Sequence, residues 1–325
     1  MSAWERVLID AAPPGGGAGF LDWQAARWPR LEAARTQLDA VQTRTLPLRD
    51  RPVQLQWNPG RRVNTTAKVD ASAIRARPCF LCPANLPAEE RGVAVSPELV
   101  LLANPFPIGP GHLVFAHREH RPQALLPALD QAVALAAAGE LGALFYNGPT
   151  CGASAPDHLH LQALAPEVLP DVGYFSDLFD RSALPGETLL DRPDLGVFLD
   201  PRLRTTLVLR GEPAATGRAL SALLSGLALS GAEPPHNAVL ARHGDRLLAL
   251  LYLRDAHRPA CYYAAGPSQR LVSPGAVDMA GMIVTVREED YLALDQAEVE
   301  RIFTEVSLPI TPELRETLQR SLAHV

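Results

Sequence analysis

The chain has 325 residues, with 47% hydrophobic and 20% charged residues and a formal net charge of −6. That composition excludes a disordered chain, and the acidic balance argues against nucleic acid or an anionic membrane as partner. No apolar run reaches the roughly 18–20 residues of a membrane helix, and the N-terminus lacks a basic start followed by an apolar stretch, so a cytoplasmic enzyme or binding protein is expected. The single lysine, Lys68, goes with abundant Ala, Arg, Pro and Leu and reads as genome composition. The four cysteines, Cys79, Cys82, Cys151 and Cys261, point to metal or catalysis sooner than to disulfides.

Along the chain, a helical pattern runs through about Phe20–Val41, and Gln54–Asn58 reads as a short strand. Arg61–Arg77 reads as a polar, turn-rich connector to Cys79-Phe-Leu-Cys82. Leu99–Ala103 and Gly111–Ala116 read as paired strands. The prolines of Asn104–Pro110 exclude a regular element between them. Leu126–Gly139 follows as a helix, Ala143–Asn147 as a strand, Gly148–Asp157 as a loop of small residues, and His158–Ala165 as a strand.

In the second half, Arg204–Arg210 reads as a strand and Ala214–Ala228 as a helix. Asn237–Arg242 and Arg246–Leu253 form a hairpin, Ala280–Val286 is a strand, and Asp295–Val306 and Pro312–Ala323 are helices. The elements lack regular βαβ spacing and a G-x-G-x-x-G, so an α+β fold on a largely antiparallel sheet is expected. Leu184–Gly196, rich in Pro, Gly and Asp, is the expected internal boundary, dividing residues 1–183 from residues 184–325.

The sharpest feature is Asn147-Gly-Pro-Thr-Cys151-Gly-Ala-Ser154-Ala-Pro-Asp157-His158-Leu-His160-Leu-Gln162. Residues two apart share a strand face, so His158, His160 and Gln162 are expected to point one way, with Leu159 and Leu161 toward the core. A loop of small residues lets backbone N–H groups approach an anion. An imidazole beside an amide donor suits attack on phosphorus, the ring forming the bond and the amide holding a non-bridging oxygen. Cys151 lacks a dedicated base in sequence and reads as a loop residue. Cys79-x-x-Cys82 supplies half of a tetrahedral structural zinc site; two buried free thiols in a turn are the alternative.

His158-Leu-His160-Leu-Gln162 resembles the H-x-H-x-Gln signature of the histidine-triad branch that holds galactose-1-phosphate uridylyltransferase, diadenosine tetraphosphate phosphorylase and the GDP-hexose phosphorylases. Asn104-Pro-Phe-Pro-Ile108 and Pro110-Gly-His-Leu-Val114 resemble the superfamily's Asn-x-Phe-Pro and Pro-x-His segments, and Ser273–Gly281 resembles a second-half segment of the phosphorylases. The resemblance spans about residues 60–285 and implies two fused histidine-triad-like halves with flanking helices. The first half would carry the nucleophile and the zinc site, and the second would complete the sheet and the substrate pocket.

It implies a nucleotidylyltransferase or phosphorylase in which His160 takes a nucleoside monophosphate from a sugar nucleotide or dinucleoside polyphosphate and passes it to phosphate or a sugar phosphate. Gln162, Ser154 and Asn147 would meet the phosphates and Asn104 the ribose or base. By their own charge and position, apart from the resemblance, Lys68, Arg61 and Arg62 are candidates to balance phosphate charge, with surface solvation the alternative, and Arg254, His257 and Arg258 are candidates to contact the distal phosphate or sugar. The relatives complete a C-x-x-C with two histidines, which implies Zn²⁺ on Cys79, Cys82, His120 and His158, with His117 the rival to His120. Positions 158 and 160 lie roughly 6.6 Å apart along a strand, so metal on His158 is too far to bind His160. A homodimer is left open, as are a hydrolase of the same fold and a non-catalytic, zinc-stabilised nucleotide-binding module.

Overall fold

A computed structural model describes residues 3–62, 70–184, 186–228 and 232–325. Thirteen strands are described, and ten of them form one wholly antiparallel sheet. Its order is β3 (Val93–Ala94), β4 (Leu99–Ala103), β5 (Leu113–His117), β7 (His160–Leu164), β6 (Ala143–Asn147), β11 (His236–His243), β12 (Arg246–Leu253), β10 (Thr206–Gly211), β9 (Leu195–Asp200) and β8 (Glu187–Arg192). A smaller sheet joins β1 (Gln42–Leu46), β2 (Val53–Trp57) and β13 (Met282–Thr285), with β13 parallel to β2. The chain is therefore α+β, as expected.

Alternation along the strands decides what each face of the large sheet carries. Leu144 and Tyr146 of β6, and Leu161 and Ala163 of β7, pack under the helices Gly16–Ala25, Leu129–Ala138, Pro213–Gly226 and Pro312–Leu322. Ala143, Phe145 and Leu164 face the other way, toward the helices Pro170–Asp180, Ala276–Met279 and Gln296–Val306 and the small sheet. The functional residues sit on this second face. A third apolar cluster, holding Trp4, Leu81, Leu86, Val100, Leu102, Val114 and Ala155, packs around Cys79.

The strands expected at Leu99–Ala103 and Ala143–Asn147 are found at those bounds, and the hairpin turns at Gly244-Asp245. The helix expected over Phe20–Val41 is instead two helices, Gly16–Ala25 and Pro29–Thr36, followed by a 3₁₀ turn. Trp28 is extended (φ −132°, ψ 92°) because the residue before a proline is disfavoured in helical geometry. The connector before the cysteines contains a helix, Ala71–Ala76, whose first turn is capped by Asp70 accepting from the backbone of Ser72 and Ala73. Residues 184–196 hold β8 and the start of β9.

Candidate active site and metal centre

A cavity of about 710 Å³ opens on the second face, where β4, β5 and β7 meet the Gly148–Asp157 loop and the turn before Ala276–Met279. His160, Gln162, Asn104, Asn147 and Ser154 all line it. Antiparallel pairing of β5 with β7 sets Val114 opposite Gln162, and β4 with β5 sets Leu102 opposite Val114, so these three side chains form one row along the wall.

His160 is held at both backbone and ring. Gln123 accepts from the His160 N–H (2.8 Å) and donates its amide to the carbonyls of His160 (3.0 Å) and Asn147 (2.9 Å). Nδ1 of His160 lies 2.8 Å from the His158 carbonyl. A carbonyl only accepts, so Nδ1 carries the proton and Nε2 keeps its lone pair. Burial pushes the ring down to about 4 against the opposing pull of the hydrogen bond to the His158 carbonyl, so the imidazole is neutral near pH 7.

A second histidine sets the amide of Gln162. The Ile108 N–H donates to His112 Nδ1 (3.0 Å), so the proton of His112 sits on Nε2 and is donated to Gln162 Oε1 (3.0 Å). The Gln162 amide nitrogen is thereby the end turned to a ligand. Burial, and then the Arg61 cation, push His112 down to about 3, which keeps this arrangement fixed across neutral pH. Asn104 is oriented by the Phe106 N–H, which donates to its Oδ1 (2.9 Å), while its Nδ2 lies 3.1 Å from His112 Nε2.

The loop approaches closely because it must be glycine at key points. Gly152 has φ +99°, and a Cβ there would sit 2.8 Å from the Gly275 Cα. A Cβ on Gly275 would sit 2.8 Å from Asn147 Oδ1. That oxygen already accepts from the Ala276 N–H (2.7 Å) and from Asn237 (3.1 Å), so Asn147 offers a ligand only its amide nitrogen. Cys151 is fully buried, does not line the cavity, and burial pushes its thiol up, as befits a loop residue.

Arg254 is not brought to the cavity. It is 1% exposed, and its guanidinium donates to the carbonyls of Val306 (3.1 Å), Pro274 (3.0 Å), Ala256 (3.0 Å) and His257 (3.1 Å) and to Asn237. It shapes the turn carrying His257 and Arg258, which do line the cavity. Lys68 lies outside the described residues. Two residues that the sequence did not single out belong to the site. Arg77 lines the cavity and donates to the Ser154 carbonyl (3.2 Å) and to Asp157 (3.0 Å), and Gln123 clamps the His160 backbone. An arginine in a polar connector, and a glutamine 37 residues from its partner, carry no local pattern.

Cys79, Cys82, His120 and His158 come together with their ligand atoms all within 4.8 Å of one another. Sγ of Cys79 is 3.2 Å from His158 Nδ1, and Sγ of Cys82 is 3.3 Å from His120 Nδ1 and 3.6 Å from His158 Nδ1. Tetrahedral Zn–S and Zn–N bonds of about 2.3 and 2.0 Å place S and N about 3.5 Å apart, so the four residues fit such an ion. His158 Nε2 donates to the His117 carbonyl (2.7 Å), which leaves Nδ1 as the ligand atom. The His117 ring is turned elsewhere, accepting from the Glu119 N–H at Nδ1 (3.0 Å), so His120 is the fourth residue of the cluster.

A family model described as a domain of unknown function, DUF4922, matches residues 20–165, which include His160 and all four residues of the cluster. No curated protein matches the chain. Among solved structures, yeast Ap4A phosphorylase Apa2 superposes with a TM-score of 0.58 at 16% identity, over 90% of this chain and 98% of that one. The same yeast enzyme in complex with AMP gives 0.55 at 19% identity, over 90% and 97% of the chains. Its complex with Ap4A gives 0.55 at 15%, over 87% and 97%. The fold is therefore the histidine-triad-like one that the H-x-H-x-Gln block implies.

Proposed function

We propose that the chain is a nucleotidylyltransferase or phosphorylase that works through a covalent nucleotide on His160. The observation that carries this reading is the ring orientation: Nδ1–H is committed to the His158 carbonyl, and His160 lines the cavity beside Gln162 and the glycine loop. Nε2 attacks the α-phosphorus of a sugar nucleotide or dinucleoside polyphosphate. The P–N bond forms as the P–O bond to the leaving phosphate breaks, and that phosphate departs with the bonding pair. The resulting ring is cationic and keeps its Nδ1–H on the His158 carbonyl. The Gln162 amide, with the N–H groups of Gly152 and Ser154, meets the charge that gathers on the non-bridging oxygens. Phosphate or a sugar phosphate then attacks phosphorus, and the bond to Nε2 breaks. The yeast phosphorylase, solved with AMP and with Ap4A, supports a nucleotide ligand in a fold of this kind.

The ion in the Cys79–Cys82–His120–His158 cluster is proposed to be Zn²⁺, since two thiolates and two imidazoles complete a tetrahedron and leave no open position. Bound there, it would supply structure. Its ligand His158 also offers the carbonyl that fixes the His160 tautomer.

Incubation with a panel of α-³²P-labelled nucleotide diphosphate sugars and dinucleoside polyphosphates tests the reading. Label is expected on the wild-type chain and not on His160→Ala, and its release is expected to need phosphate or a sugar phosphate. Release at the same rate in water alone would make the chain a hydrolase. No label on the wild type from any of these substrates would remove the covalent step.

A further inference from the structure

Glu90 lines the cavity, yet the transfer chemistry makes no use of it. It lies in the turn that leads into β3 and is only 4% exposed. Among the described residues no hydrogen-bond donor meets its carboxyl and no ion pair holds it. Burial pushes the carboxyl up to about 8, with only the nearby Arg30 charge opposing. The other buried carboxyl of the cavity differs in kind: Asp278 accepts from the N–H groups of Gly275 (2.9 Å) and Val284 (3.0 Å). A buried acid left without partners is destabilising unless a ligand supplies them.

Its place along the cavity says which part of a ligand that is. The row Gln162, Val114, Leu102 runs from β7 to β4, and β3 pairs beyond β4 through Val93 and Leu101. With strands about 4.8 Å apart, β3 lies about three spacings, roughly 14 Å, from the strand that carries His160, and Glu90 stands in the turn three residues before β3. Between them the wall is apolar, formed by Ala103, Leu102, Val114 and Leu86. Phe106 stands beside it with the Arg30 guanidinium 4.7 Å over its ring. With the α-phosphorus at His160, a base lying on this wall turns its far edge to Glu90 and Arg30.

We propose that Glu90 reads the nucleobase and selects guanine. Burial alone favours the acid form of Glu90, whereas two donors of a ligand together with the Arg30 charge favour the carboxylate, which offers two acceptors and no donor; a guanidinium offers only donors. Guanine presents two adjacent donors, N1–H and the N2 amine, which two carboxylate oxygens accept together. Its O6 stands next to them, where Arg30 suits it. Adenine sets a ring-nitrogen lone pair beside its amine, cytosine does the same, and uracil sets a carbonyl on each side of its one N–H. Each of these turns an acceptor toward the carboxylate. This inference names the base for the nucleotidyl-transfer reading and rests on it.

Calorimetric titration of GMP, AMP, UMP and CMP into the full chain, as wild type and as Glu90→Gln, tests it. The wild type is expected to hold GMP at least tenfold more tightly than the other three, about 1.4 kcal/mol. The glutamine offers one acceptor and one donor, the complement of adenine's edge, so the variant is expected to lose GMP affinity at least tenfold and to keep or gain AMP affinity. Glu90→Gln keeps the shape of the side chain, so folding is expected to be intact, and an unchanged thermal transition checks that. AMP bound as tightly as GMP by the wild type, or a GMP:AMP ratio unmoved by the substitution, overturns the guanine assignment and leaves the transfer reading standing. Binding of none of the four overturns both.

Discussion

His112 divides its two ring nitrogens between the backbone and the site. Nδ1 accepts from Ile108, and Nε2 therefore donates to Gln162. Without that donor the Gln162 side chain is free to turn its oxygen toward the phosphoryl group, where it repels instead of binds. Gln162→Ala is expected to slow nucleotidylation of His160 by about 10²–10³-fold, the usual cost of losing one donor to a developing oxyanion. His112→Ala should approach that loss, with KM moved far less than kcat. The double variant should be no slower than Gln162→Ala, because both substitutions remove the same interaction. Single-turnover labelling rates measure this, and additive losses in the double variant would show that His112 acts on its own. The strand alternation of His158-Leu-His160-Leu-Gln162 made the reacting face legible in the sequence. His112 was legible as the histidine of the Pro-x-His segment, but its pairing with Gln162 was not, because that depends on the β5–β7 register across 50 residues.

The turn Cys79–Cys82, the loop end at His120 and the entry to β7 are three elements that meet at the Cys/His cluster. His158 sits just before the first paired residue of β7, with its carbonyl accepting from His160 and its ring in the cluster. Anchoring that residue thus sets both the start of the strand and the tautomer of the nucleophile. Metal analysis of the wild type is expected to give about one equivalent of zinc. Cys82→Ser should lose the metal, lower the unfolding temperature and abolish labelling of His160 together. Full labelling in a metal-free Cys82→Ser chain would separate the cluster from the site. The two cysteines announced themselves by their spacing. The choice of His120 over His117 is settled only by the fold, which spends the His117 carbonyl on His158 and its ring on Glu119. Proline placed one boundary that the apolar periodicity hid, since Pro29 breaks at Trp28 the helical run that the sequence pattern carried unbroken to Val41.

In the whole molecule, β6 and β11 join the strands on either side of residue 184 into one sheet, with Asn147 opposite Asn237. A buried charge network fastens the same two parts on the site face. Asp171 accepts from Arg51 (2.7 Å), Tyr252 (2.8 Å) and Arg204 (3.4 Å), while Asp50 and Asp200 pair with Arg204 and Arg51, and Arg204 also donates to the Met279 carbonyl (3.0 Å). None of these links was legible in the sequence, because 120 residues separate Arg51 from Asp171 and 149 separate it from Asp200, and charges spaced so widely read as surface. Removing one charge leaves the two buried arginines undercompensated, so Asp171→Asn is expected to lower the unfolding free energy by about 3–5 kcal/mol. Burial alone would raise the Asp171 carboxyl, but Arg204 and Arg51 hold it below the usual range. Its stabilisation is therefore present above the unfolded-state value, about 4, and is lost as pH falls through the lower folded value. The deficit of Asp171→Asn should accordingly be full near pH 7 and shrink toward acid. Urea unfolding followed at pH 7 and at pH 3 measures both, and a loss under about 1 kcal/mol at pH 7, or one independent of pH, would mean that the network adds no net stability to the joined sheet.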